Sequence, residues 1–131
     1  MILEDDVIFE NNTLIYLNLA LIDLKDKDWN ILYLASNLKE KEDAIRVDYN
    51  LLEIKSGLTT TAQIFKKSKI DSIIKLIEDS DIEIDNTYNL LDNKYCVYPM
   101  CVYQYDSYSD INKKNMDYGM FHKKFKYSIN I

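Results

Sequence analysis

The sequence predicts an α/β domain, and three observations carry that prediction. Apolar runs of strand length alternate with segments of helical periodicity, in the order strand, helix, strand, strand, helix, short helix, strand. Between Ser68 and Ser80, Ile70, Ile73, Ile74 and Ile77 fall on one helical face, the clearest amphipathic pattern in the chain. The composition is that of a globular protein: 131 residues, 47% hydrophobic and 29% charged, which suffices for one domain with a core and is unlike a disordered chain.

Each element has its own signal. Met1-Ile2-Leu3 reads as the end of a short buried strand running straight into Glu4-Asp5-Asp6. Asn11 or Asn12 is placed to cap a helix in which Leu14, Leu17 and Leu21, with Ile15 and Ile22, recur at helical spacing, and which stops near Lys25 to Asp28. Ile31 to Leu34 is a continuous apolar run, as expected in a sheet covered on both faces. The charged stretch Lys39 to Asp48 reads as a loop or a short exposed helix. Thr59 to Phe65, rich in β-branched residues, reads as a strand, and Asp85 to Leu91 as a second short helix. Tyr95 to Gln104 is β-rich but interrupted by Pro99, hence two short strands or a bent edge strand.

Composition also excludes functions. With two glycines, Gly57 and Gly119, far apart, the chain has neither a P-loop nor a GxGxxG fingerprint, and one proline leaves its loops to Asn, Asp and Ser. A net charge of −6 disfavours broad attraction to nucleic acid or anionic lipid. The charge is uneven: from Lys113 onward five Lys face one Asp (+4), while the residues before it carry 11 basic and 21 acidic side chains (−10). The chain therefore divides into a domain over 1–112 and a basic, aromatic tail over 113–131. The acidic start MILEDDVIFE is unlike a secretory leader, and the longest uncharged run, the 12 residues Asn11 to Ile22, is too short to span a bilayer. A soluble, cytoplasmic protein without a transmembrane segment is expected. Cys96, Cys101 and the single His122 make no zinc set; buried free thiols are expected, with a disulfide between the two left open.

The chemically suggestive feature is the triplet Glu4-Asp5-Asp6. Carboxylates at the C-terminal end of a strand point into the crevice where α/β sheets bind ligands, and they suit a hard divalent cation. The plain alternative is an acidic patch favoured by a following helix N-terminus. Around that triplet, LEDDV, a helix and then WNILYL (Trp29 to Leu34) resemble the glycosyltransferase family 25 pattern of an E-D-D strand, a helix and a W-D-I-L-Y-L-G strand. GLTTTAQIFKKSKIDSIIKLI (Gly57 to Ile77) is similar to its G-T-x-A-Y-x-x-S segment, although Gln63 stands for the tyrosine, Asn30 for the aspartate and Ala35 for the glycine. IEIDNTYNLL (Ile82 to Leu91) resembles its P-x-D-x-x-L element, and YPMCVYQYDSYSDI (Tyr98 to Ile111) its closing P-x-x-x-x-Q-x-x-x-S-D-I motif.

The resemblance implies a GT-A-like fold, partial because the nucleotide-binding strands that precede the triplet in that family are missing. It implies inverting, metal-dependent transfer of galactose or a related sugar from a UDP-sugar to a hydroxyl of a glycan or hydroxylysine-type acceptor. Carried over, Asp6 is the ligand of Mn²⁺ or Mg²⁺, and Glu4 and Asp5 assist the metal or the donor ribose. Gln104, Ser109 and Asp110 lie at the donor site, and Asp85 is the base that takes the acceptor's proton. A plain helix cap is the other reading of Asp85, and an Asx or Ser turn that of Ser109-Asp110. A second function class is a non-catalytic carbohydrate- or protein-binding module derived from the C-terminal half of such an enzyme. A third is a small acidic interaction protein. A dimer or a separately encoded N-terminal half are the protein partners implied.

Overall fold

The computed structural model describes residues 1–38, 40–58, 60–105, 107–109 and 114–116. Within them the strands are β1 (Ile2–Leu3), β2 (Val7–Phe9), β3 (Ile31–Tyr33), β4 (Ala44–Asp48), β5 (Leu51–Ile54), β6 (Ala62–Phe65), β7 (Lys94–Val97), β8 (Val102–Gln104), β9 (Ser107–Ser109) and β10 (Lys114–Met116). The α-helices are α1 (Thr13–Asp23), α2 (Ile70–Glu78) and α3 (Ile84–Asn89). Six strands form one mixed but mostly antiparallel sheet in the order β1, β6, β3, β7, β5, β4, in which β3 and β7 are the parallel pair. The two apolar runs take its centre, and every residue of β3 and β7 is buried. The pairs β2 with β8 and β9 with β10 form two small antiparallel sheets.

Residues in register across a sheet share a face, so Gln63, Tyr33, Cys96 and Leu52 form one row. Phe65 lies on the same side, and its ring meets Tyr88 of α3 with centroids 5.6 Å apart. The α3 helix therefore covers this face. Lys94, itself buried, reaches up from β7 and donates through Nζ to the carbonyls of Asn89 (2.9 Å) and Leu91 at the end of that helix. Cys96 and Cys101 are buried and not joined in a disulfide, and burial holds the Cys96 thiol well above its ordinary range.

Three expectations are corrected. The strand at Ile2 and Leu3 is not buried: it is the edge of the sheet, paired on one side with β6, and both side chains are exposed. The stretch Lys39 to Asp48 is not a loop or an exposed helix throughout. After a single 3-10 turn at Lys41–Asp43 it enters β4, which forms a hairpin with β5, because Leu51, Leu52 and Ile54 supply a buried strand against which the charged one rests as an outer edge. A register shift between Arg46 and Asp48 bends that edge, and Arg46 stacks over the Tyr98 ring at 4.6 Å.

The third correction concerns α1. It starts as expected, with Asn12 at the N-cap, and ends at Asp23, a little before Lys25; its inward face is Thr13 and Ala20, continued by Leu24, with Tyr16 and the expected Leu17 partly buried against the core. Leu14, Ile15, Leu21 and Ile22 face outward. Almost every position of this helix is apolar, so periodicity selects no face; the small Ala20 allows the close approach to the sheet. Among the described residues no helix is long and apolar enough to cross a membrane.

Candidate functional site

The acidic triplet sits where the chain leaves one sheet for another. Backbone pairing of β1 with β6 continues one step, Glu4 N donating to the Thr61 carbonyl at 3.0 Å, and then Asp5 and Asp6 turn the chain into β2. On the other side of the turn, Tyr105 N donates to the Asp6 carbonyl at 2.9 Å, an extension of the pairing of β2 with β8. Both ends of the turn are thus fixed by backbone hydrogen bonds to different strands.

That placement brings Gln104, the last residue of β8, onto the carboxylates. Its Nε2 donates to Glu4 Oε2 at 2.8 Å and lies 3.4 Å from Asp6 Oδ2. Thr60 donates from its hydroxyl to Glu4 Oε1. Both Glu4 oxygens are therefore held, whereas Asp6 Oδ1 is buried without a hydrogen-bond partner. Asp5 points outward. Asp85, half-buried in the first turn of α3, stands near enough that its charge acts on both Glu4 and Tyr33. It accepts from the backbone N of Asn86 at 2.8 Å and is not the helix cap, since Glu83 occupies that position.

Of the expected site residues, Glu4, Asp6 and Gln104 are in contact, and Asp5 and Asp85 act on the cluster through their charge. Ser109 ends β9, opposite Lys114, with only its backbone described, and Asp110 lies outside the described residues. Thr60 was not expected. Neither was the narrow cavity beside Gln104, lined in part by Ser36 and Thr61, whose space of about 10 Å³ is that of one water. Ser36 is 4% exposed and its Oγ is without a partner, as is Oε1 of Gln63, 2% exposed, the residue standing for the expected tyrosine. Burial raises the Tyr33 hydroxyl far above its usual range. Of the aromatic stretch that opens at Tyr95, Tyr95 and Tyr98 are packing residues, while Tyr105 is exposed.

Burial, and then the charges of Asp6, Asp5 and Asp85, raise the Glu4 carboxyl above its ordinary 4.5, against the hydrogen bond from Thr60, which lowers it. The folded state therefore favours protonated Glu4. The associated stability is fully present below pH 4.5 and is lost as pH rises through the raised value. Glu4→Gln should remove that loss, because the introduced amide can donate to the Thr60 hydroxyl and accept from Gln104. Thermal melts from pH 4 to 8 should show the variant gaining on the native chain as pH rises. A constant difference across that range would refute the assignment.

The donor set is that of a hard-cation site in part. Asp6 Oδ1 is an unused oxygen beside a second carboxylate, and Mg²⁺ or Mn²⁺ commonly takes one or two carboxylates and completes its shell with water and substrate phosphate. Among the described residues no group of three or more His, Cys, Asp or Glu is disposed to hold a metal ion by itself. The chain matches no family model, and no curated protein or solved structure matches it either.

Proposed function

We propose that the chain is a glycosyltransferase-like domain of the family 25 type, with a GT-A-like fold, whose acidic turn receives a UDP-sugar through a divalent cation. The observation that carries this reading is the unpartnered, buried Oδ1 of Asp6 next to the ordered pair Glu4 and Gln104. When bound, Mn²⁺ or Mg²⁺ supplies positive charge against the diphosphate as it departs. Asp6 holds the cation, and Glu4, fixed by Thr60 and Gln104, keeps the turn in the geometry that presents it. Asp5, exposed at the tip of the turn, is available to the donor ribose. Asp85 accepts the proton of the attacking hydroxyl as the new glycosidic bond forms and UDP leaves from the opposite side, so that configuration inverts. The acceptor class is a glycan or hydroxylysine-type hydroxyl.

A second reading is a non-catalytic carbohydrate- or protein-binding module derived from such a domain. It is favoured by the small size of the adjoining cavity and by a cluster that offers few metal-ligating groups of its own. Titration calorimetry with UDP-galactose and Mn²⁺ separates the two. The enzyme reading expects metal-dependent heat with the native chain, lost in Asp6→Ala, followed by UDP release that falls at least about a hundredfold in Asp85→Asn, the usual scale for a general base. No metal-dependent heat with the native chain would remove the donor-binding proposal.

A further inference from the structure

The outer face of α1 is apolar and, among the described residues, uncovered. Leu14 is 73% exposed, Ile15 58% and Ile22 67%, with Leu19 and Leu21 exposed beside them. Thr13, Ala20 and Leu24 already bury the opposite side. The helix is thus apolar on both sides, the pattern of a helix enclosed all round. Five exposed Leu and Ile side chains on one helix amount to roughly 500 Å² of apolar surface, the size of the largest patch on a typical monomer, which is often a functional one.

We propose that this face is a self-association surface on which a second copy of the chain packs antiparallel, about a two-fold axis through Asn18. Asn18 is exposed and lies at the midpoint of Thr13–Asp23. It is the centre of the row Leu14, Asn18, Ile22, spaced four residues apart on one ridge, and such ridges interdigitate in the commonest class of helix packing. A two-fold axis there sets Asn18 against the partner's Asn18 and Leu14 against the partner's Ile22. Carboxamides are self-complementary, each donating and accepting, and a single buried Asn between apolar neighbours selects one register.

Charge points to the same occupant. No residue from Asn11 to Ile22 is charged, so the two copies meet without repulsion. In the antiparallel arrangement the helix dipoles oppose. A lipid surface is the poorer fit, since α1 carries no Lys or Arg and the chain has a net charge of −6. Doubling the patch gives roughly 1,000 Å², the lower limit for a specific interface, so the complex should be a reversible one.

Sedimentation equilibrium of the full chain tests this. At about 100 μM, above the micromolar Kd expected of so small an interface, the mass should approach twice 15.5 kDa. Leu14→Lys and Ile22→Glu should each be monomeric, with circular dichroism unchanged because both sites are exposed. An equimolar mixture of the two variants should associate again, because only an antiparallel pair sets the introduced lysine against the introduced glutamate while keeping one Leu14 to Ile22 contact. A native chain that stays monomeric overturns the proposal, whether or not it sediments with phosphatidylcholine vesicles or binds another protein. Single variants that dimerise like the native chain, or a mixture that stays monomeric, overturn it as well.

Discussion

Leu32→Ala should cost about 3 kcal/mol of folding stability, within the 2 to 5 kcal/mol usual for removing a fully buried leucine. Leu32 is 0% exposed at the middle of the parallel seam, opposite Ile64 on one side and Tyr95 on the other. The lost transfer energy is augmented by a cavity, because the flanking strands are tied through backbone hydrogen bonds and cannot collapse into the space. For a domain whose total stability is of order 5 to 15 kcal/mol, this is a large fraction. Urea titration should show a lower midpoint with an unchanged slope. Ile45→Ala, on the exposed outer strand β4, is the control and should cost under about 1 kcal/mol. Equal costs at the two positions would contradict the sheet order.

The second large effect is at Lys94. Its ammonium is inside the protein, where burial lowers its pKa against the opposing pull of Asp92, and its contacts are the carbonyls of Asn89 and Leu91. Those carbonyls belong to the last turn of α3 and the residues after it, where a helix leaves acceptors without intrahelical donors. Lys94→Met keeps much of the aliphatic volume and removes both donors, at a cost of about 2 kcal/mol. Because α3 also carries Asp85, the loss should extend beyond stability: amide exchange in α3 should accelerate more than in α2. If exchange rises equally in both helices, Lys94 acts only through global stability and does not anchor α3.

The legible parts of this chain are those where one local signal has one meaning. The run from Ile31, the segment ending at Phe65, the isoleucine stripe of α2 and the break at Pro99 each identify an element without reference to anything distant. Strands β4 and β5 were not legible as a hairpin, because Glu42, Asp43, Arg46 and Asp48 mask the alternation of an edge strand that needs burial on one side only. Strand β2 was missed for a related reason: three carboxylates precede Val7, and its partner β8 is remote in the sequence. Whether neighbouring strands run parallel or antiparallel is a property of the connections, which no single segment carries.

The site divides along the same line. Glu4 and Asp6 stand out as carboxylates after an apolar strand, whereas the contact between Glu4 and Gln104, 100 residues apart, entered only through the resemblance. Thr60 was not distinguishable within the run Thr59-Thr60-Thr61. The register of β6 against β1 decides which threonine faces Glu4, and register is settled by pairing rather than by composition.

The parallel seam between β3 and β7 also bears on how the chain assembles. On one side of it, β4 and β5 are a local hairpin, of a kind that closes in microseconds. On the other, β1 and β3 both pair with β6, a group of three segments well separated in the sequence. The seam itself joins positions such as Asn30 and Asp92, 62 residues apart, and its loop-closure entropy must be met before its contacts stabilise anything. The most buried interface of the sheet is thus a long-range one, like the pairing of β1 with β6, and wherever it is open the apolar flanks of β3 and β7 are exposed to other chains.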